Sequence, residues 1–302
     1  MDGTLRSSSL KRFVVEANGL RLAILQEGPS DGPVALCLHG FPDTPSTWRH
    51  LLPELAARGY RAVAPFMRGY APSEARSDVT YSVRDLGADS CALHELLGGG
   101  RPGALIGHDW GAAAVYAALM QAPSRWASAV SVAVPPTGHI GVDLASFEQM
   151  RRSWYGFLFQ LPVAEQVAAA NDFELLERLW SDWSPAYDAA ADLEWMKETL
   201  REPGSLLAAI SYYRDTPSEL RQPSAGDPVP DVPLLYLHGA DDGCIGVDIL
   251  EVARPFLPPR AETVVLQGVG HFPQLEQPTE FNAAVLAFLD RTAPVHLLQP
   301  PR

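Results

Sequence analysis

Asp109 lies between two glycines in Leu105-Ile106-Gly107-His108-Asp109-Trp110-Gly111-Ala112, where a short apolar run gives way to the small residues of Ala112 to Met120. A strand that turns at once into a helix around Gly-x-nucleophile-x-Gly forms a nucleophile elbow, here with aspartate where the usual pattern has serine. The turn is so tight that the positions beside the nucleophile tolerate almost no side chain, which accounts for Gly107 and Gly111. The helix N-terminus sets a positive dipole end against the Asp109 carboxylate, favouring its ionised, nucleophilic form. An aspartate that merely caps a helix would leave the same short pattern, so the rest of the chain must decide.

The residue type narrows the chemistry. A serine attacking a saturated carbon would leave an ether, which is hard to hydrolyse. A carboxylate attacking the same carbon leaves an ester that water can reopen at the carbonyl. Asp109 therefore points to an sp3 carbon with a leaving group, such as an epoxide or an alkyl halide, in preference to a peptide or carboxylic ester.

Two further groups follow apolar runs. After Leu237 comes His238-Gly239-Ala240-Asp241-Asp242-Gly243, and after Leu266 comes Gln267-Gly268-Val269-Gly270-His271-Phe272. In a parallel sheet the carboxyl ends of the strands share one edge, so Asp109, the Asp241/Asp242 pair and His271 converge there. The chain order nucleophile, acid, histidine is that of the α/β-hydrolase class. His271 is expected to act as general base on water, with Asp242 holding its tautomer. Asp242 is preferred to Asp241 because the acid usually stands three residues past the glycine.

Ester hydrolysis passes through an oxyanion, and the backbone N–H groups of Trp110 and of Phe41, in the loop His39-Gly40-Phe41-Pro42, are the expected donors. His39 and His108 are expected to pack or bond the backbone. A departing halide would need N–H donors, whereas a departing epoxide oxygen needs a proton. Tyr155, in Trp154-Tyr155-Gly156-Phe157, and Tyr213, in Ser211-Tyr212-Tyr213-Arg214, are the candidate acids, with Tyr212 competing with Tyr213 for the second place. Trp110, Phe41, Tyr212 and Trp154 are expected to line the substrate pocket.

These groups need a frame. Phe13 to Val15 and Leu20 to Leu25 read as a hairpin across Asn18-Gly19. Val34 to Leu38, Arg61 to Pro65, Ala104 to Ile106 and Ala129 to Val134 are apolar runs suited to strands buried on both faces. Helices are expected between them over about Ser46–Arg58 and Ser82–Leu97. Strands alternating with helices at this spacing indicate βαβ units. From Pro135 to about Pro223 the alternation gives way to helical, aromatic-rich sequence. It resumes with Leu234 to Leu237, a helix near Ile249–Phe256, Thr263 to Leu266, and a helix over about Thr279–Leu289. The fold class is thus α/β, a mostly parallel eight-stranded sheet flanked by helices. Residues 1–134 and 227–302 form its core, and a helical cap is inserted at 135–226 after the sixth strand. Gln222 to Pro228 reads as a linker and the tail after Thr292 as frayed.

Leu38-His39-Gly40-Phe41-Pro42-Asp43 with Trp48-Arg49, and Gly107-His108-Asp109-Trp110-Gly111, resemble the motifs of α/β-hydrolase-fold epoxide hydrolases. Asp242 and Gly270-His271-Phe272 match that family's acid and base positions. Tyr155, with Phe159-Gln160 and Pro162 downstream, is similar to the segment carrying its first epoxide-polarising tyrosine, and Tyr213 before Arg214 to the second. The resemblance spans about Phe13 to Leu289. It implies hydrolysis of a small apolar epoxide to a vicinal diol through an Asp109 ester, with no cofactor and no metal, since no His/Cys/carboxylate group has ligand spacing in the sequence.

The nearest rival is a haloalkane dehalogenase using the same aspartate and histidine, although many of these carry asparagine where Phe41 stands. Trp154, Trp180 or Trp183 would then have to supply the second halide donor. Fluoroacetate-type dehalogenases usually carry arginine where Trp110 stands. A binding protein of the same fold without turnover is the rival from another class.

Bulk properties agree with an enzyme of this kind. The chain has 302 residues, 47% hydrophobic and 20% charged, with net charge −13. That charge disfavours nucleic acid and anionic membrane as partners. Cys37, Cys91 and Cys244 lack metal-like spacing and read as reduced, packed thiols of a cytoplasmic monomer or homodimer. Met1 to Arg12 is polar rather than leader-like, and no run reaches the roughly 20 apolar residues of a membrane span.

Overall fold

Asn18 and Gly19 both take positive φ, 49° and 75°, the left-handed pair that a tight two-residue turn requires. They join Lys11–Ala17 (β1) to Leu20–Glu27 (β2) as an antiparallel hairpin. In the computed structural model, which describes residues 10–136, 146–219, 229–293 and 295, this hairpin forms one edge of an eight-stranded sheet. The expected linker at Gln222 to Pro228, the first nine residues and most of the tail lie outside the described residues.

The other strands are Val34–Leu38 (β3), Arg61–Pro65 (β4), Gly103–His108 (β5), Trp126–Val132 (β6), Leu234–Gly239 (β7) and Glu262–Leu266 (β8). Their order is β1-β2-β4-β3-β5-β6-β7-β8. β2 runs antiparallel to β4, and every pair from β4 through β8 is parallel. β3, β5 and β7 are buried along their whole length, which is why they carry continuous apolar runs rather than alternation. Cys37 sits inside β3 as a core residue.

Val83–Leu97 (α2) and Trp110–Gln121 (α3) cover this sheet, preceded by the shorter Leu52–Ala57 (α1). The helix expected from Ser46 is divided into a 3-10 turn at Pro45–Trp48 and α1. Pro53 has no N–H to give to the preceding turn, so it is confined to the first turn of the helix. α2 starts on a capping box in which Ser82 and Asp85 satisfy each other's backbone N–H.

Between β6 and β7, the described residues form helices Phe147–Arg152 (α4), Trp154–Leu158 (α5), Ala164–Trp183 (α6), Ala190–Leu200 (α7) and Ser205–Glu219 (α8), and include no strand. α6 is broken at Asn171, Asp172 and Phe173, which all have positive φ. Asn and Asp tolerate that region better than other side-chain-bearing residues, and Asp172 there bonds Arg201 at 2.6 Å and Lys197 at 3.2 Å. Helices Ile249–Ala253 (α9), Pro273–Glu276 (α10) and Pro278–Thr292 (α11) complete the core.

The inserted helices are pinned over the carboxyl edge of the sheet by polar contacts at several points. Trp180 Nε1 donates to the Pro42 carbonyl at 2.8 Å, and its ring stacks on Phe272 at 3.7 Å. Tyr212 Oη donates to the Arg68 carbonyl at 2.8 Å, and Ser205 Oγ to that of Gly69 at 2.9 Å. Arg49 grips Asp192 at 2.6 Å. Each contact joins a helix of the insert to a loop leaving the sheet. No helix among the described residues is long and apolar enough to cross a membrane.

Candidate active site

β5 ends at His108 and α3 begins at Trp110, leaving Asp109 alone in the turn with φ 53° and ψ −117°. A non-glycine residue held there carries strain of about 1–3 kcal/mol, sustained only when the surroundings dictate it. They do. A Cβ on Gly107 would collide with the Gly111 carbonyl, and one on Gly111 with the carbonyls of Leu38 and His39. Replacing Gly111 with alanine should therefore destabilise the protein by about 2–4 kcal/mol, read as a lower urea midpoint. Unchanged stability would contradict this close approach.

The Asp109 side chain does not cap α3. Oδ1 instead accepts from the backbone N–H of Phe41 at 2.7 Å, and the nearby Trp110 N–H favours the ionised carboxylate. Gly40 is bare because a Cβ there would overlap the Asp109 side chain. The Phe41–Pro42 peptide in this loop is cis. Burial raises the Asp109 carboxyl above the usual carboxylate range, while His271 and the two N–H groups pull it back. Burial thus outweighs the favourable helix terminus anticipated from the sequence.

His271 is fully buried and follows β8. Its Nδ1 lies 2.9 Å from Asp242 Oδ2, and its Nε2 lies 3.8 Å from Asp109 Oδ2 with no hydrogen-bond partner. Asp242 Oδ1 accepts from the N–H groups of Cys244 at 2.7 Å and Ile245 at 2.9 Å. Burial works against the Asp242 charge, but His271, His238 and the Ile245 N–H hold the carboxyl below its usual range. Burial would likewise lower His271, and Asp242, aided by Cys244, reverses this and keeps the imidazole well above its ordinary value. Asp241 is exposed and bonds Val269 through its backbone only.

The insert brings two phenols to the same place. Tyr155, on α5, and Tyr213, on α8, meet edge to face at 5.7 Å. Tyr155 Oη lies 3.2 Å from Cys244 Sγ. Tyr213 Oη makes no hydrogen bond, and its ring packs against Phe41, Trp110 and Phe159. Burial first, then neighbouring groups including Asp109, push both phenols well above their ordinary value, so they stand protonated at neutral pH.

Two expected pocket residues are placed elsewhere. Trp154 is 43% exposed, because only one face of the short α5 turns inward and Tyr155 occupies it. Tyr212 is fully buried behind Trp110, at 5.7 Å, and its hydroxyl is engaged by Arg68, so it does not compete with Tyr213 for the space above Asp109. The rings of Phe41 and Trp110 both pack edge-on against Tyr213. His108 bonds the His271 carbonyl at 2.8 Å through Nε2. His39 lies between the Gly40 carbonyl and the Met67 N–H, burial lowering it to about 4.

Other residues at the site carried no usable sequence signal. Cys244, expected only to pack, turns its thiol toward Tyr155 and His271. Ser184 Oγ accepts from the His271 N–H at 2.9 Å and donates to Glu276 at 2.7 Å. Glu276 also accepts from Gly270 and Phe272, fixing the histidine loop from both sides. The Trp183 ring lies 5.2 Å from both His271 and Tyr155.

The arrangement provides a carboxylate held by the Phe41 N–H, an imidazole backed by a second carboxylate, and two phenols close to them. Comparison with known proteins follows the same lines. Residues 33–278 match a family model described as alpha/beta hydrolase fold. Epoxide hydrolase 3 of Mus musculus is 32% identical over 91% of this chain and 75% of its own length. Epoxide hydrolase A of Mycobacterium tuberculosis is 28% identical over 91% and 96%. The crystal structure of an epoxide hydrolase from Vigna radiata superposes with a TM-score of 0.81 at 27% identity, covering 94% of this chain and 99% of that one. The Bacillus megaterium epoxide hydrolase, solved with an inhibitor, gives 0.79 at 27% identity over 92% and 100%.

Proposed function

Because this chain is a hydrolase that belongs to the α/β-hydrolase fold family, among relatives that are epoxide hydrolases, we propose that it converts a small apolar epoxide to a vicinal diol through a covalent ester on Asp109. The observation that carries this reading is the Asp109 carboxylate facing His271 Nε2 at 3.8 Å beneath two protonated tyrosines. Tyr155 and Tyr213 hold the epoxide oxygen and protonate it as the C–O bond breaks, while Asp109 attacks the ring carbon from the other side. Water then gives its proton to His271 Nε2 and adds to the ester carbonyl. The N–H groups of Phe41 and Trp110 hold the resulting oxyanion; as it collapses, His271 returns its proton to the departing oxygen and the acid proton on Asp109 goes back to the tyrosinate, releasing the diol and restoring the carboxylate. In this reading the core at 1–134 and 227–302 supplies nucleophile, base and oxyanion donors, and the cap at 135–226 supplies the acids.

The dehalogenase alternative needs a second indole or amide donor for halide. Trp180 Nε1 is already taken by the Pro42 carbonyl, Trp154 is on the surface and Phe41 has no side-chain donor, which leaves Trp183, its ring 5.2 Å from His271, as the one remaining indole of the three. Two phenols at the same place suit an oxygen that needs a proton.

A single turnover of styrene oxide in water carrying a heavy oxygen isotope tests the proposal. The first diol should contain ordinary oxygen taken from Asp109, and the heavy isotope should appear in the peptide that contains it. Heavy oxygen in that first diol would mean direct attack by water. Tyr213→Phe should lower kcat by about 100-fold. Tyr212→Phe should leave kcat within about threefold and cost about 1 kcal/mol of stability through the lost Arg68 contact. Steady-state kinetics and melting on both variants separate the two, and a larger kinetic loss in Tyr212→Phe would reverse the assignment.

A further inference from the structure

We propose that Asp109, Cys244 and His271 form a binding site for a soft divalent cation of the zinc and cadmium class, and that a cation held there shuts down turnover. One potential ligand atom from each lies within 4.8 Å of the others. Asp109 Oδ2 and His271 Nε2 are already 3.8 Å apart, near the ~3.4 Å that separates two ligands around tetrahedral zinc. The Cys244 sulfur lies within 4.8 Å of both, so a small side-chain rotation suffices to complete the set. Thiolate, imidazole and carboxylate form a ligand set suited to zinc, with a fourth position open to water.

The surroundings are arranged as a ligand set requires. His271 Nε2 is buried and without a partner, while Nδ1 is held by Asp242, the carboxylate–histidine arrangement that fixes a ligand's tautomer and orientation. The Phe41 N–H occupies Asp109 Oδ1 and leaves Oδ2 toward the histidine. Cys244 is fixed at its N–H by Asp242 and at its carbonyl by Gln149 Nε2, at 2.9 Å. Tyr155 Oη, 3.2 Å from the sulfur, donates to the thiolate that forms when the thiol proton leaves to solvent. The other two thiols lack such company: Cys37 is enclosed in β3, and Cys91 faces the Ala118 carbonyl.

Binding does not depend on the proposed reaction, whereas inhibition rests on that reading of Asp109 and His271. Titration of the chelator-treated full chain with cadmium should show a thiolate-to-metal charge-transfer band in the ultraviolet that saturates at one ion per chain. Cys244→Ser should lose the band and weaken calorimetric binding by on the order of 100-fold. Asp109→Asn should keep the band with binding weaker by about tenfold. Zinc should displace cadmium, and both should inhibit epoxide turnover competitively and reversibly on chelation. No band in the wild type, or the same band in Cys244→Ser, overturns the site. A band with no epoxide turnover would leave the site standing and remove the proposed reaction; turnover without a band would do the reverse.

Discussion

Substituting His271 with glutamine should stop the reaction after its first half. In the proposed reaction, ring opening needs the Asp109 carboxylate and the two phenols, none of which is lost. Hydrolysis of the ester needs an acceptor for the water proton, and Nε2 is the unpartnered nitrogen on that side of Asp109. The variant should consume about one equivalent of epoxide per chain, then fall to a steady rate lower by about 10³-fold. Mass spectrometry of the intact protein should show it heavier by one substrate molecule, with the modification on the peptide containing Asp109. Full turnover without accumulated adduct would place the base elsewhere. Charge supports this order of events. The Asp109 carboxylate and the His271 imidazole each favour the charged form of the other, and alkylation removes the aspartate charge. The imidazole is then easier to hold neutral at the point where it must accept a proton.

Asp109→Ala should cause the largest loss of all, on the order of 10⁴ to 10⁶-fold in kcat, as for removal of other covalent nucleophiles. Asp109→Ser is the more informative partner, because the elbow keeps an oxygen nucleophile of smaller size. Any bond that serine forms to the ring carbon is an ether, so this variant should be modified at most once per chain and never recover. Steady diol formation by either variant would show that the carboxylate does not bond to carbon. Melting temperatures near wild type should accompany both losses, since the Asp109 side chain caps no helix and its backbone strain is relieved by neither change.

The elbow, the acid and the histidine were legible because each is written locally, as an apolar run ending in small residues and a polar group. Strand order then brings residues 109, 242 and 271 to one edge without any side-chain detail. Adjacent residues on short helices were less legible. Tyr212 and Tyr213 differ by one step around α8, and only the position of the Arg68 carbonyl, more than a hundred residues earlier, decides which hydroxyl is occupied. Trp154 and Tyr155 pose the same problem on α5, where the insert's packing turns one ring inward and leaves the other on the surface. Cys244 was read as filler because its neighbours at the site come from the elbow, the histidine loop and α5. The left-handed break in α6 is accompanied by bonds from Asp172 to Lys197 and Arg201 of the next helix, contacts that the sequence at Asn171-Asp172-Phe173 does not announce.

Tyr212 fastens α8 to the sheet through the Arg68 carbonyl, and its neighbour Tyr213 reaches over the nucleophile. The clasp and the acid are consecutive residues on one rigid turn, so neither can be withdrawn alone. In the proposed reaction, a swing of α8 away from the sheet would carry the proton source off with it, whereas loss of the Tyr212 hydroxyl alone leaves the ring packed against Tyr70 and Tyr81 and the helix in place. On the proposed reaction, ring opening therefore belongs to the state in which α8 is seated on the loop after β4.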